Sequence, residues 1–465
     1  MFAGAWRLPN GLDAAQLLYQ TIVADALKDK DGNPVVIKPP GTRPPAPAPQ
    51  AAPASAARPG QPQRTPTTTE ASPQPAARPG APQRAPARPP ANAAAGGGTS
   101  SGTAQDPEHS PLRSVHTGSF PQLLKQIASS VLVSTYQAGK LVVLREAEGK
   151  LNTHFRVYNR PMGLAADRSR LAIGTALAVE YYRNMPLVAA RLEPAGRHDG
   201  AFLPRQLHVT GNIDVHEMAW AGDELWLVNT RFSCLCTLDG EHSFVPRWRP
   251  SFISGYAAED RCHLNGLEVI DGKPRYVTAL GTSDVAGGWR ENKASGGVLI
   301  DVDSGEMICR GLSMPHSPRW YQDRLWVLES GNGSLATVDL DTGRVETVAE
   351  LPGFTRGLTF YGPYALVGLS QVRESAVFSG ISLTERVSER NCGVWIVDIR
   401  SGQVAGFLRF EDAVQEVFAV SILPGLRFPD VLAATDQAVG ISYALPDEAL
   451  KEVVQPPARN PHSGG

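Results

Sequence analysis

Beyond about Ser114 the chain reads as short apolar runs broken by turns rich in Gly, Asn and Asp, with no long amphipathic helical period. Alternating runs bounded by such residues predict strands and hairpins. One hairpin pattern recurs. It stands as Leu299-Ile300-Asp301-Val302-Asp303-Ser304-Gly305-Glu306, again as Thr337-Val338-Asp339-Leu340-Asp341-Thr342-Gly343-Arg344, and again as Trp395-Ile396-Val397-Asp398-Ile399-Arg400-Ser401-Gly402. Weaker copies occupy 143–150 and 236–241. Glycine supplies the positive φ that such tight turns demand.

A second pattern opens each unit. Strand-like runs at 160–165, 216–220, 263–268, 316–320, 355–359 and 414–418 lead to second runs at 170–174, 224–228, 274–278, 324–328, 364–368 and 431–434. Openings separated by roughly 40 to 60 residues leave room for four short strands and their turns, the size of a propeller blade. A pair of β-sandwiches does not predict equivalent openings, and a parallel β-helix repeats over a much shorter period. The expected fold is therefore all-β: a six-bladed β-propeller of four-stranded blades over 114–445. Strands at 131–134 and 140–144 precede the first opening, so they are expected to complete the blade that the last opening begins.

Upstream, Leu12, Ala15, Leu17, Leu18 and Ile22 carry a loose helical period, and 1–38 is read as a short helical fragment. Residues 39–113 are Pro- and Ala-rich with few large apolar side chains, which predicts a disordered linker ahead of the propeller. Residues 446–465 are read as a disordered tail. The 44 Lys and Arg against 46 Asp and Glu argue against a nucleic-acid or anionic-membrane partner. No apolar run reaches the length of a membrane span, and Met1-Phe2-Ala3-Gly4-Ala5-Trp6 lacks a secretory pattern. Cysteines number five, an odd and sparse set that suits reduced thiols and a cytoplasmic location.

The runs Val133-Ser134-Thr135-Tyr136-Gln137-Ala138-Gly139-Lys140, Asn229-Thr230-Arg231-Phe232-Ser233-Cys234-Leu235, Cys262-His263-Leu264-Asn265-Gly266, Ser313-Met314-Pro315-His316-Ser317-Pro318-Arg319 and Phe410-Glu411-Asp412-Ala413-Val414-Gln415-Glu416 resemble an uncharacterised bacterial family of conserved hypothetical proteins, a domain of unknown function. That resemblance spans most of the expected propeller and implies no activity. More distantly, the openings are similar to the gluconolactonase and strictosidine-synthase-like six-bladed propellers. This likeness implies a metal in the central tunnel, although fold alone does not carry function.

In a propeller the first strand of each blade lines the central channel, so the opening residues should converge there. His216, His263 and His316 each stand four residues before Trp220, Leu267 and Trp320. Three imidazoles around one axis suit a transition metal, zinc, copper, iron or manganese, with an open position left for water or substrate. Glu217, Glu416 and Arg356 are the candidate catalytic groups, and Asn265 and Arg319 the candidate ligand-binding groups. Arg231, Arg247 and Arg249 form either an anion-binding rim or bridges between blades. The pair Cys234 and Cys236 reads as buried small residues, and the polar Gly-rich stretch 281–291 as a connection over the channel mouth. Each histidine also fits an ordinary structural hydrogen-bonding role. The reading is a metal-dependent enzyme acting on a small molecule or peptide, by hydrolysis or oxidation. Its competitor is a non-catalytic scaffold that docks a protein partner.

Overall fold

The structure is a computed structural model that describes residues 112–371 and 380–453. The helical fragment at 1–38, the linker up to residue 111 and the end of the chain from 454 lie outside the described residues.

The described residues form six blades around a central channel, each with four antiparallel strands. After a short strand β1 (Ser114–His116), blade 1 contains β2 (Ser129–Ser134), β3 (Lys140–Ala147) and β4 (Lys150–Val157). Blade 2 is β5 (Leu164–Ala166), β6 (Arg170–Gly174), β7 (Ala178–Asn184) and β8 (Gly200–Val209). Blade 3 is β9 (Val215–Ala221), β10 (Glu224–Asn229), β11 (Cys234–Thr237) and β12 (Val245–Trp248). Blade 4 is β13 (Leu264–Ile270), β14 (Lys273–Ala279), β15 (Gly297–Asp301) and β16 (Met307–Leu312). Blade 5 is β17 (Pro315–Tyr321), β18 (Arg324–Glu329), β19 (Ser334–Val338) and β20 (Val345–Glu350). Blade 6 is β21 (Phe354–Tyr361), β22 (Tyr364–Ser370), β23 (Gly393–Asp398) and β24 (Gln403–Phe410). The missing inner strand of blade 1 comes from the far end of the chain: β25 (Ala419–Pro424) pairs antiparallel with β2.

The repeated hairpin joins the outer two strands of its blade. In blades 4, 5 and 6 the side chains of Asp301, Asp339 and Asp398 accept from the backbone amides of Ser304, Thr342 and Arg400. Gly305, Gly343 and Gly402 then close the turn at φ of 73°, 68° and 71°.

Because each blade is sandwiched between two others, its central strands are apolar on both faces. Val131, Val133, Val142 and Leu144 of blade 1 pack towards Leu366, Val394 and Leu408 of blade 6. Leu132, Leu141 and Val143, the alternate residues, pack towards Leu171, Ile173 and Phe202 of blade 2. Comparable clusters fill the other blade interfaces.

Two features depart from the sequence reading. The last opening does not lead to a second strand at 431–434: β25 takes β2 as its neighbour, and β26 (Pro429–Val431) instead adds a parallel fifth strand to β8. A helix, α1 (Ser119–Gln126), stands where only strands were expected, and buries Phe120, Leu123 and Leu124 between blades 6 and 1. Eight residues are too few for its period to stand out in the sequence. Of the expected tail, Asp447–Leu450 forms one helical turn. Among the described residues, no helix is long and apolar enough to cross a membrane.

Phe120 is fully buried at the junction that closes the ring. Phe120→Ala should lower unfolding free energy by about 3–5 kcal/mol, read by urea denaturation. A loss below about 1 kcal/mol would show that α1 is a loose appendage.

Candidate functional site

The inner strands of successive blades share a local conformation that aims side chains into the channel. Their first hairpins turn after Asp167, Ala221, Ile270 and Tyr321. At the same distance before each turn stand Arg160, Asp214, His263 and Met314, with φ of 51°, 55°, 50° and 47°. A left-handed backbone at four non-glycine positions is strained, and persists because the blades on either side hold it. Two residues further on, Met162, His216, Asn265 and His316 form the next layer, with Arg356 in the corresponding place in blade 6. Here the inner strands of blades 3 to 6 slip by one residue against their partners. A bulge of this kind re-aims side chains.

This register corrects one expectation. His263 is not the counterpart of His216 and His316, because Asn265 holds that place. His263 reaches the same region from the strained layer above. The three histidines nevertheless meet at one channel-mouth cavity of about 200 Å³, whose wall also includes Trp289, Phe418 and Arg356. The His216 and His263 rings meet edge to face with centroids 4.7 Å apart, and His263 lies against Trp289 at 4.5 Å. His216, His316, Arg356 and Phe418 also line a second cavity of about 300 Å³, on the side of the blades' first hairpins. They therefore form a waist between the two.

The imidazoles of His216 and His316 are held in one tautomer. Thr230 donates its hydroxyl hydrogen to Leu264 O at 2.6 Å, so it can only accept from His216 Nδ1 at 2.8 Å. Ser330 donates to Thr355 O at 2.6 Å and accepts from His316 Nδ1 at 2.9 Å. The carbonyls of Asp214 and Met314, turned inward by the strained backbone, accept from the same two nitrogens. Both Nδ1 atoms thus carry hydrogen, and each Nε2 is left as an acceptor at the waist. Burial holds both rings well below the usual imidazole range, with His263 and Arg356 adding to the shift at His216, and Arg356 and His263 at His316. His263 gives its Nδ1 hydrogen to Asp260 at 2.9 Å, and Asp260 also accepts from Trp289 Nε1 at 3.0 Å.

The remaining candidates divide clearly. Arg356 pairs with Glu416 at 3.1 Å and lies over the Phe418 ring at 3.7 Å, at the waist. Burial lowers its pKa, and Glu416 opposes that. Glu217 and Arg319 are engaged with the protein itself. Glu217 pairs with Arg319 and accepts from Leu267 N at 2.9 Å. Arg319 also donates to Leu358 O and Leu267 O, which ties together blades 3 to 6. Asn265 is buried, donating to Pro315 O and accepting from Thr278. Arg231, Arg247 and Arg249 line neither cavity. Cys234 and Cys236 are buried thiols whose pKa values burial pushes up.

Imidazoles with Nδ1 anchored are typical metal ligands. Yet the described residues hold no group of three or more His, Cys, Asp or Glu placed to bind a metal ion. A guanidinium at the waist also opposes a second cation.

Thr230, Ser330, Asp260, Trp289 and Glu268 escaped the sequence reading. Thr230 and Ser330 stand at one distance from the start of the second strand in their blades, so aligning those strands would have exposed them.

If Arg319 is a bracket between blades, Arg319→Met should cost about 3–5 kcal/mol by leaving Glu217 buried and unpaired. The double variant with Glu217→Gln should lose less than Arg319→Met alone in denaturant unfolding. A single variant of near-normal stability would free Arg319 for a ligand.

No curated protein matches this chain. Among solved structures it is similar to one from the crystal structure of a nidogen/laminin complex. The TM-score there is 0.43 at 10% identity, over 64% of this chain and 99% of that one. It is also similar to a protein of unknown function from Bacteroides caccae, with TM-score 0.42 at 8% identity, over 63% and 98%. Both are too remote to bear on function. The repeated motifs find a nearer match: a family model covers residues 118–432, and the chain belongs to that family, described as a domain of unknown function, DUF4915.

Proposed function

We propose that the channel-mouth cavity binds a small neutral molecule carrying several hydrogen-bond donors on an apolar frame, the chemistry of a sugar or other polyol. One observation carries this reading: the waist presents Nε2 acceptors on His216 and His316 that the protein has locked in place through Nδ1. Locked, largely dehydrated acceptors favour a ligand that brings donors, since an unmet buried acceptor is costly. Asp214 and Glu416 add carboxylate acceptors, while Trp289, Phe418 and Tyr136 offer ring faces to C–H surfaces. A cationic ligand is disfavoured because Arg356 already covers Phe418. Simple anions meet Glu416 and Asp214.

Propellers serve as enzymes and as scaffolds alike. If chemistry occurs, Arg356 and Glu416 stand beside the ligand, whereas Glu217 is engaged with Arg319. Five buried free thiols support placing the protein in a reducing compartment, the cytoplasm.

Isothermal titration with monosaccharides and polyols, beside their deoxy counterparts, tests this reading. The hydroxylated members should bind, and Trp289→Ala should weaken binding about tenfold or more, roughly 1.4 kcal/mol. Equal binding by deoxy analogues, or an unaffected Trp289→Ala variant, would overturn it.

The second reading is zinc, copper, iron or manganese on His216, His263 and His316, favoured by the Nδ1 anchoring alone. The polyol reading expects no stoichiometric metal after purification and no rise in melting temperature with added metal. One equivalent of metal by elemental analysis, lost in each His→Ala variant, would put the metal reading in its place.

A further inference from the structure

We propose that the second cavity, across the histidine waist, is a separate site for a primary ammonium group, with Glu268 as its counter-ion.

Most of the charged side chains that line this cavity are paired within the protein. Glu217 has Arg319. Asp167 has Arg170 at 2.8 Å. Arg356 has Glu416 at 3.1 Å. His216 and His316 are neutral, their pKa values lowered by burial. Glu268 shares its one cation, Arg319, with Glu217. One carboxylate oxygen accepts from Trp320 N at 2.9 Å. Arg319, the nearest guanidinium, stands off at 3.9 Å and is engaged with Glu217, Leu267 O and Leu358 O. The side chain is mostly buried, 15% exposed, so its charge is poorly solvated.

A carboxylate in this position is stabilised in one of two ways. It takes up a proton, or it meets a cation that enters the cavity. Burial, and to a lesser extent Glu217, pushes its pKa up to about 7 against the partial opposition of Arg319. Its charged form is therefore poorly stabilised by the protein, and a cationic ligand would favour that form. An ammonium brings three donors. Glu268 accepts one, and the lining of the same cavity also carries the hydroxyls of Thr359 on blade 6 and Ser421 on blade 1. The site is independent of the polyol reading, because the ligand chemistry and the residue that carries it both differ.

The test compares ethanolamine and putrescine with ethylene glycol by isothermal titration at pH 7.5, alongside a lysine-containing tripeptide. Amines should bind and the glycol should not. Binding by the tripeptide would assign a lysyl side chain as the source of the ammonium, and binding by the free amines alone a small metabolite. Glu268→Gln should weaken amine binding tenfold or more, whereas Trp289→Ala, in the other cavity, should leave it unchanged.

The Gln variant keeps the shape and the acceptor for Trp320 N, so it should fold. Its melting also reports the charge. A carboxyl whose pKa is raised on folding stabilises the fold at low pH, and that contribution is lost as pH rises through about 7. Melting of the unliganded wild type should therefore fall more between about pH 4.5 and 7.5 than that of Glu268→Gln. Equal binding of amines and glycol, or undiminished amine binding by Glu268→Gln, would overturn the proposal.

Discussion

Ser129 to Ser134 pair with Pro424 to Ala419, and the ring depends on that ladder. Each blade buries apolar side chains on both faces, which is stable only if every blade has two neighbours. Without β25, blade 1 would lose its inner strand, and blades 6 and 2 would each lose part of the surface they pack on. The ends of the folded chain reinforce the closure. Strand β1 adds to the outer edge of blade 6 and β26 to that of blade 2. Arg145 and Arg156 hold β26 through the carbonyls of Pro429 and Val431.

Closure also creates the site. Adjacent blades are joined near the channel by hydroxyls that donate to carbonyls in or just before the inner strands: Ser134 to Met162 O, Thr230 to Leu264 O, Ser330 to Thr355 O and Ser370 to Val417 O. In blades 3 and 5 the same hydroxyl accepts from a histidine. A device that joins blades thereby sets the protonation of two imidazoles. The strained residues Asp214 and Met314 take part as well, since their turned carbonyls complete both anchors. Fixing Nδ1 in this way leaves Nε2 no freedom to change role, which suits recognition by a fixed hydrogen-bond pattern.

The waist divides the channel into chambers of different character. The mouth is aromatic, and its charged groups include the Arg356–Glu416 pair, Asp214 and Arg290. The second chamber holds a buried carboxylate, Glu268, that shares Arg319 with Glu217. A Glu217–Arg319 bracket stands beside it and keeps Arg319 from that role.

The repeat was legible in the sequence because each blade must rebuild the same strands and turns from its own residues. Alternating apolar runs, the Asp…Gly hairpins and the completion of the first blade from 131–134 and 140–144 are all local patterns that recur. The convergence of His216, His263, His316, Arg356 and Glu416 on the channel was legible as well, because opening strands line a propeller's axis. Other features depended on contacts between residues far apart in the chain. The place of His263 turned on a left-handed backbone and a bulge, which shift register without changing the residues that spell the strand. The engagement of Glu217 with Arg319 joins residues of blades 3 and 5, and leaves Glu268 only a share of that cation. Sequence determined the blades, since hydrophobic periodicity acts along the chain. Only the closed ring decided which side chains are partnered and which face an open cavity, because partners there are set by distance across the channel.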